Sequence, residues 1–277
     1  MIQNLCDAHT HTLFSRHAYS TLEENVRAAA ERGLELLASA DHFWPACCEP
    51  VGGCYSMRDF QYLVNFHAWP RVWHGVRLMR AVEADIVDFE GHLFGWDVPV
   101  TTGVDGHLLS EPTTLKDRVF SECDYVVASV HNDDFTKGAT TAQLTGIYVR
   151  ALDDPKVAIL GHIGRTGLAF DVDEVLLAAR DLGKMVEVNE HSFDNEARDE
   201  ETFARIRRIV VRCAELGVPV AVNTDAHIAT QVGDARRALS LLDELGFPEE
   251  LVMTRDAATF TAAIARATGA APVRWDS

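Results

Sequence analysis

Short apolar runs alternate with amphipathic helical patterns along the whole chain. The apolar runs are rich in Val, Leu, Ile and Ala, which is typical of strands buried on both faces of a parallel sheet. Seven of these runs are predicted to be strands: residues 4–8, 35–40, 77–82, 125–130, 157–160, 185–188 and 218–222. Because the strands alternate with helices, the pattern predicts an α/β fold with a parallel sheet or barrel.

The stretches between the strands carry helical signals. Helices are predicted at residues 21–32, 57–69, 140–152, 171–182, 199–216, 232–245 and 256–267. Thr21 stands three residues before Glu24, the spacing of a capping box, and Gly33 and Gly217 follow helical runs where a C-cap residue is expected. Glycines among alternating apolar positions favour a hairpin insertion at residues 86–99. No linker interrupts the pattern, so residues 1–277 are predicted to form one domain.

Histidines and carboxylates stand at the carboxyl ends of the predicted strands. The set is His9, His11, His17, His42, Glu83, His131, His162, Asp225 and His227, with Asp7 and Asp41 beside it. In a βα barrel the carboxyl ends of the strands meet on one face, so residues far apart in sequence share a pocket there. His9 with His11, and Asp225 with His227, are two residues apart, so an extended backbone points each pair to the same side.

Imidazoles and carboxylates together suit zinc, manganese or iron. The candidate ligands are too many for a single ion. The sequence therefore predicts a centre of two or three metal ions.

The bulk composition narrows the class of protein. The formal charge is −17, with 42 acidic against 25 basic residues, which argues against a surface that binds nucleic acid. The start of the chain enters a predicted strand without a signal-type segment, and no apolar run approaches membrane-spanning length. The six cysteines form no spaced framework. We therefore expect a cytoplasmic protein with reduced thiols, and Cys47, Cys48 and Cys54 are interpreted as ordinary loop thiols rather than as metal ligands.

The motif Asp7-Ala8-His9-Thr10-His11-Thr12, followed by His17 and Asp41-His42, resembles the opening motifs of the PHP (polymerase and histidinol phosphatase) superfamily. Within it the chain is similar to YcdX-type phosphatases over nearly its whole length, through residues 17–22, 69–72, 82–86 and 187–189 with Ser192-Phe193. The resemblance implies a distorted (β/α)7 TIM-like barrel, three metal ions at its carboxyl face, and phosphatase activity. Gly161-His162-Ile163-Gly164-Arg165 departs from these relatives, which commonly have Pro after the histidine, so the substrate preference stays open.

The resemblance also implies three sets of ligands. One ion would be bound by His9, His11, Glu83 and Asp225, a second would share Glu83 and add His131 and His162, and the third would be bound by His17, His42 and His227. Zinc is the first choice for the ions, with manganese and iron as alternatives.

Such a centre suits the hydrolysis of a phosphate monoester on a small substrate. We expect a metal-activated hydroxide, shared by the two ions that Glu83 bridges, to attack phosphorus, with Glu83 and Asp225 as catalytic residues. Arg165 is the preferred residue to bind phosphate among four loop arginines, since it follows His162 closely, and surface charge is the alternative role for each: Arg16, Arg58, Arg165 and Arg198. His191 is kept as a candidate to protonate the leaving group.

Asp7 and Asp41 are expected either to orient ligating imidazoles or to cap local backbone. Three other functions stay open: hydrolysis of a nucleic-acid phosphodiester, hydrolysis of a C–N bond with the same metals, and a noncatalytic metal-binding domain. The acidic composition disfavours the first of these. The sequence does not fix the substrate, the metal, the group that protonates the leaving group or the oligomeric state.

Overall fold

The structure, a computed structural model, describes residues 2–47, 54–193 and 200–275. The strands are β1 Cys6–Thr10, β2 Leu36–Phe43, β3 Val72–Trp73, β4 Val76–Asp85, β5 Pro99–Thr102, β6 Leu108–Thr114, β7 Tyr125–Ser129, β8 Val157–Leu160, β9 Met185–Asn189 and β10 Val220–Asn223. The α-helices are α1 Leu22–Glu31, α2 Leu115–Phe120, α3 Thr141–Ala151, α4 Val172–Asp181, α5 Glu200–Leu216, α6 Arg236–Leu245 and α7 Ala257–Thr268. None of the helices in the described ranges is both long and apolar enough to cross a membrane.

The main sheet is a nearly closed barrel of parallel strands. Its order is β1-β2-β4-β7-β8-β9-β10, with the short β3 antiparallel to β4 at one side. The first and last strands of this order meet beyond β10, where Thr10 forms a parallel bridge with Ala226 and the Asp225 backbone N–H donates to the His9 carbonyl. The predicted distorted (β/α)7 TIM-like barrel is confirmed.

Two layers of apolar side chains hold the barrel together. Small residues such as Ala38 and Ala40 fill the interior, and α7 covers the amino end, where Phe260 packs edge-on against Tyr125 with ring centroids 5.7 Å apart. The backbone N–H of Ala257, the first residue of α7, donates to Glu35 just before β2, so α7 lies at the amino end of the strands. Outside, helices α3 to α6 pack their buried faces on the strands. The opposite, carboxyl end is left for polar side chains.

All seven predicted strands are present, but several extend further than their apolar runs. His9, His42 and Glu83 lie inside β1, β2 and β4 rather than after them. The capping box of Thr21 and Glu24 is confirmed at the start of α1. Gly33 follows α1 with a φ of 73°, the left-handed conformation expected there.

Local structure differs from the sequence predictions at three places. Residues 57–69 form 3-10 turns at Gln61–Val64 and Phe66–Ala68 instead of the predicted α-helix, with Phe60, Leu63, Val64 and Phe66 buried in the core. Helix α2 was not predicted. An unpredicted hairpin is formed by β5 and β6, and the predicted one at 86–99 is present as a short hairpin closed by the antiparallel bridge of Ile86 with Leu93. Its glycines allow close packing: a Cβ on Gly91 would clash with the backbone of α3.

Candidate metal centre

The barrel brings all nine candidate ligands to its carboxyl end. His9 comes from β1, His42 from β2 and Glu83 from β4, and the other candidates lie in the segments that follow strands β1, β7, β8 and β10. Most of them are buried, with His17 the most exposed. Three overlapping groups place ligand atoms within 4.8 Å of one another: His9, His11, Glu83 and Asp225; His42, Glu83 and His131; and His11, His42 and His227.

The first group has the separations of a tetrahedral ligand set. His9 Nε2 lies 3.1 Å from His11 Nε2, 3.3 Å from Glu83 Oε2 and 3.7 Å from Asp225 Oδ1. His11 Nε2 lies 2.9 Å from Asp225 Oδ1 and 3.6 Å from Glu83 Oε2. Zinc with ligand distances of about 2.0–2.2 Å separates its tetrahedral ligand atoms by about 3.3–3.6 Å. These four side chains therefore fit one zinc-sized ion.

The two carboxylate oxygens of Glu83 contact different sets of imidazoles. Its Oε2 atom points to His9, His11 and His42, whose nearest nitrogens lie 2.8–3.6 Å away. Its Oε1 atom lies 2.7 Å from His162 Nε2 and 3.3 Å from His131 Nε2, and accepts a hydrogen bond of 2.7 Å from Ser129. One carboxylate thus has the geometry to bridge two ions.

The structure groups the imidazoles differently from the sets that the resemblance implies. His42 lies with Glu83 and His131, because His42 and Glu83 are register partners on the neighbouring strands β2 and β4. His162 still faces Glu83, but outside that group.

His17 meets the third group from the rim of the site. Its Nε2 atom lies 2.8 Å from His227 Nε2 and 3.3 Å from His42 Nε2. Burial, followed by the neighbouring His42 and His227, lowers the pKa of His17 to about 4. The pKa of His162 is lowered to about 4 by burial and then by Arg165. Both imidazoles are therefore neutral near pH 7, the form that binds a metal.

The buried carboxylates are the strongest sign that a cation belongs here. Glu83 Oε2 and Asp225 Oδ1 are buried and accept no hydrogen bond of normal geometry from the described residues. Burial by itself raises the pKa of Glu83, but the surrounding imidazoles, His131 and His9 first, hold it well below its usual range. A buried negative charge needs a counter-charge or hydrogen bonds, so the donor set fits divalent metal ions.

Backbone strain is concentrated at two of these residues. His162 has a φ of 32° and Asp225 a φ of 56°, backbone angles that residues other than glycine rarely adopt. Asp7 supports the second of them, since its carboxylate accepts hydrogen bonds from the backbone and side chain of Thr224 and from the backbone of Gly233. Asp7 thus holds the backbone next to Asp225, and its hydrogen bonds from the described residues include none from an imidazole.

Asp41 acts on the imidazoles through a serine. It accepts hydrogen bonds from Thr12, Ser39 and Ser15, the last at 2.6 Å. Ser15 Oγ in turn lies 2.9 Å from His11 Nδ1 and accepts the backbone N–H of His42 at 3.1 Å. The contact of Asp41 with ligand residues is therefore indirect.

Sequence reasoning missed two carboxylates that contact ligand residues directly. Glu187 Oε1 lies 2.8 Å from His9 Nδ1, and Asp85 Oδ1 lies 3.2 Å from His131 Nδ1. Both stood within motifs of the resemblance, at 187–189 and 82–86. Their strand-end positions were the available signal, but the partners are 178 and 46 residues away in sequence.

A cavity of about 270 Å³ opens over the centre. It is lined by His17, His42, Trp44, His131, Arg165, His191, Asp225 and His227. Arg165 Nη1 lies 3.2 Å from Asp225 Oδ2, and Trp44 stacks on His42 with ring centroids 4.4 Å apart. Arg16 and Arg58 do not line this cavity, and Arg198 and Cys48 lie outside the described residues.

Comparison with known proteins gives the family. The PHP domain matches residues 7–191 of this chain. A probable phosphatase of Caldanaerobacter subterraneus subsp. tengcongensis is 35% identical over 247 residues, which cover 89% of this chain and 85% of that protein. A probable phosphatase of Acetivibrio thermocellus is 32% identical over 263 residues, 94% of this chain and 95% of its own.

A solved structure with a similar fold is histidinol phosphate phosphatase from Lactococcus lactis subsp. lactis, complexed with zinc, L-histidinol and phosphate. It aligns with a TM-score of 0.52 at 17% identity and covers 88% of this chain and 95% of its own. At that identity the likeness concerns the fold. The family match over residues 7–191 and the two full-length relatives lead to one conclusion: the chain belongs to the PHP domain family.

Proposed function

We propose that this protein is a metal-dependent phosphatase that hydrolyses a small phosphate monoester at a centre of three divalent ions. The observation that carries the proposal is the buried group of His9, His11, Glu83 and Asp225, whose ligand atoms converge beneath an open cavity. The similarity to relatives named probable phosphatases supports the same activity.

The three overlapping groups supply the ligands for the ions. His9, His11, Glu83 and Asp225 would bind one ion, and Glu83 with His131 and either His162 or His42 a second. The imidazoles of His17, His42 and His227, with His11 nearby, would bind the third. Divalent ions bound there supply charge for the phosphoryl oxygens and lower the pKa of water to near neutrality. Zinc is the preferred metal, with manganese and iron as alternatives.

Arg165 is proposed to bind the phosphoryl group. Its contact with Asp225 engages one end of the guanidinium, which carries five N–H donors in all. A side chain that lies between a ligand carboxylate and the cavity can grip a phosphoryl oxygen without leaving its place.

The lining of the cavity favours a monoester over a polymer. Beside imidazoles and Asp225, the lining drawn from the described residues contains Trp44 and one guanidinium, that of Arg165. A nucleic-acid backbone needs a row of cationic side chains, and the net charge is −17. Trp44 offers an apolar wall for the organic part of a small substrate. The cytoplasmic location expected from the sequence stays a prediction.

A phosphate-release assay tests the function. Protein loaded separately with zinc, manganese and iron is offered phosphate monoesters, a phosphodiester, an oligonucleotide and amides, and Glu83→Gln serves as the inactive variant. Release of phosphate from monoesters by the native protein is expected, with no release above that of metal-free protein in Glu83→Gln, since the amide offers one neutral oxygen in place of two charged ones.

Two results would contradict the proposal. Preferred cleavage of the oligonucleotide or of amides would favour the alternative hydrolases. Metal-loaded protein that turns over none of these compounds would favour a noncatalytic metal-binding domain.

A further inference from the structure

Glu187 has an unusual set of hydrogen-bond partners. Its Oε1 atom accepts from His9 Nδ1 at 2.8 Å and from Asn223 Nδ2 at 2.9 Å. Its Oε2 atom accepts from the backbone N–H of His162 at 2.9 Å and from Asn189 Nδ2 at 3.0 Å. The carboxylate is buried in β9, inside the barrel wall. Four donors therefore converge on two oxygens.

Three of these four donors belong to segments that also carry the proposed metal ligands, and the fourth, Asn189, lies in β9 with Glu187 itself. His9 lies in β1, and His162 follows β8. Asn223 ends β10 two residues before Asp225, whose Oδ2 atom lies 3.2 Å from Asn189 Nδ2. Glu187 is thus connected to Asp225 through the side chain of Asn189. It is connected to the residues around Glu83 Oε1 through the backbone of His162.

We infer that Glu187 is a positioning residue that keeps the proton of His9 on Nδ1 and couples the two imidazoles on either side of Glu83, His9 at Oε2 and His162 at Oε1. This inference rests on the proposed metal centre and extends it.

The tautomer of His9 depends on where its single ring proton lies. A neutral imidazole has a single N–H, and a carboxylate beside Nδ1 holds it there, so the lone pair stays on Nε2. His9 Nε2 is the atom that faces Glu83 and Asp225 at 3.3 and 3.7 Å. Without the carboxylate, the proton is free to move to Nε2 and block that position.

Glu187 also contacts the strained backbone of His162. Its φ of 32° is costly for a side chain with a Cβ. The hydrogen bond from its N–H to Glu187 helps to hold that conformation, in which His162 Nε2 lies 2.7 Å from Glu83. Losing Glu187 would therefore disturb His9 and His162 together, on the two sides of Glu83.

Glu187→Gln tests this with almost no change of volume. All four partners are donors, and only a carboxylate accepts from all of them, since an amide would turn its NH₂ toward two N–H groups. Asp85→Asn is the matched control, because Asp85 contacts the backbone and ring of His131 alone among the proposed ligands.

Zinc affinity and the tautomer of His9 are the two measurements. Competition with a chelator on the native protein should show two of the bound zinc ions weakened about 10- to 100-fold in Glu187→Gln. Asp85→Asn should weaken one ion. In the zinc-loaded native protein, ¹⁵N-histidine NMR should show a proton on Nδ1 of His9, assigned by its loss in His9→Gln. A role limited to packing would lower the unfolding temperature and leave the zinc affinities unchanged.

The outcomes distinguish a failure of the proposed metal centre from a failure of the proposed role of Glu187. Native protein that binds no zinc overturns the metal centre itself. Native protein that binds zinc overturns the inference alone if Glu187→Gln binds it equally well, if only one ion is weakened, or if His9 carries its proton on Nε2. Should Glu187→Gln not fold, the native spectrum decides the tautomer, and Glu187→Asp, which keeps the charge but shortens the reach, replaces it in the affinity measurement with the same expectation for both ions.

Discussion

Arg165 Nη1 lies 3.2 Å from Asp225 Oδ2, on the border between the buried ligands and the open cavity. About one fifth of the Arg165 side chain is exposed, whereas Asp225 is almost fully buried. The guanidinium therefore stands between a proposed metal ligand and the space for a substrate.

Arg165→Ala is expected to weaken substrate binding while the metal stays bound. A hydrogen bond to a charged group contributes about 1.5–3 kcal/mol, so kcat/KM should fall about 10- to 100-fold, mainly through KM. Steady-state kinetics and elemental analysis on the same preparation check this. Arg58→Ala is the control, because Arg58 is exposed and contacts the Val104 carbonyl away from the cavity. An unchanged KM in Arg165→Ala would remove the phosphate-binding role.

Gly161→Ala is expected to disturb the proposed metal centre by displacing Ser129, which contacts Glu83. A Cβ at this position would overlap Ser129 Oγ and lie 2.8 Å from Val127 Cγ1. Ser129 donates to Glu83 Oε1, so its displacement should shift the bridging carboxylate. We expect a loss of about 1–3 kcal/mol in unfolding free energy together with reduced metal content. Ser129→Ala, which removes the donor without the clash, should lose metal affinity with less loss of stability; full metal content in Gly161→Ala would contradict this.

Asp41→Asn is expected to weaken metal binding through Ser15. The amide supplies one acceptor oxygen for the three donors from Thr12 and Ser15, plus that of Ser39. Ser15 then loses part of its orientation toward His11 and His42. Changes in the outer partners of metal ligands cost about 10- to 100-fold in affinity. In a double-mutant cycle Asp41→Asn and Ser15→Ala should be strongly non-additive. Additive losses in chelator competition would mean that Asp41 acts independently of Ser15.

Asp256 is expected to stabilise the barrel in a way that depends on pH. It caps α7, and the hydrogen bond from the Thr259 backbone lowers its pKa. Because the folded pKa is depressed, this stabilisation is present above the unfolded value of about 3.9 and is lost as pH falls through the folded value. Asp256→Ala should cost about 1 kcal/mol at pH 7, and less in acid.

Asp256→Asn is the control for the charge. Asparagine keeps the cap without a titrating group, so its stability difference from Asp256→Ala should not vary over the acid range. Denaturant unfolding of the three proteins between pH 7 and pH 3 checks this. A constant gap between the native protein and Asp256→Ala would show that the charge of Asp256 does not contribute.

The location of the site was predictable because it depends on simple spacings. His9 and His11 share one side of an extended strand, and the parallel topology brings Glu83 and Asp225 to the same end of the barrel. The grouping of the candidate ligands was not predictable from the sequence. His42 lies beside Glu83 because of the register of β2 with β4, which sequence periodicity does not reveal. The contact of Glu187 with His9 was missed for the same reason, because it depends on how strands 178 residues apart meet across the barrel.

The 57–69 segment shows that apolar spacing alone does not predict secondary structure. Its apolar residues suit a helix by spacing, and Phe60, Leu63 and Phe66 are buried, yet the segment forms two separate 3-10 turns. Short tight turns of this kind are set by packing rather than by intrinsic propensity.

The most direct test of the metal centre is anomalous scattering from crystals of the purified protein, grown without added metal and measured across the zinc, iron and manganese edges. The account predicts three anomalous peaks: one among His9, His11, Glu83 and Asp225, one beside Glu83 Oε1 and His131, and one among His17, His42 and His227. Absence of peaks at these positions, also after soaking with zinc or manganese, would contradict it.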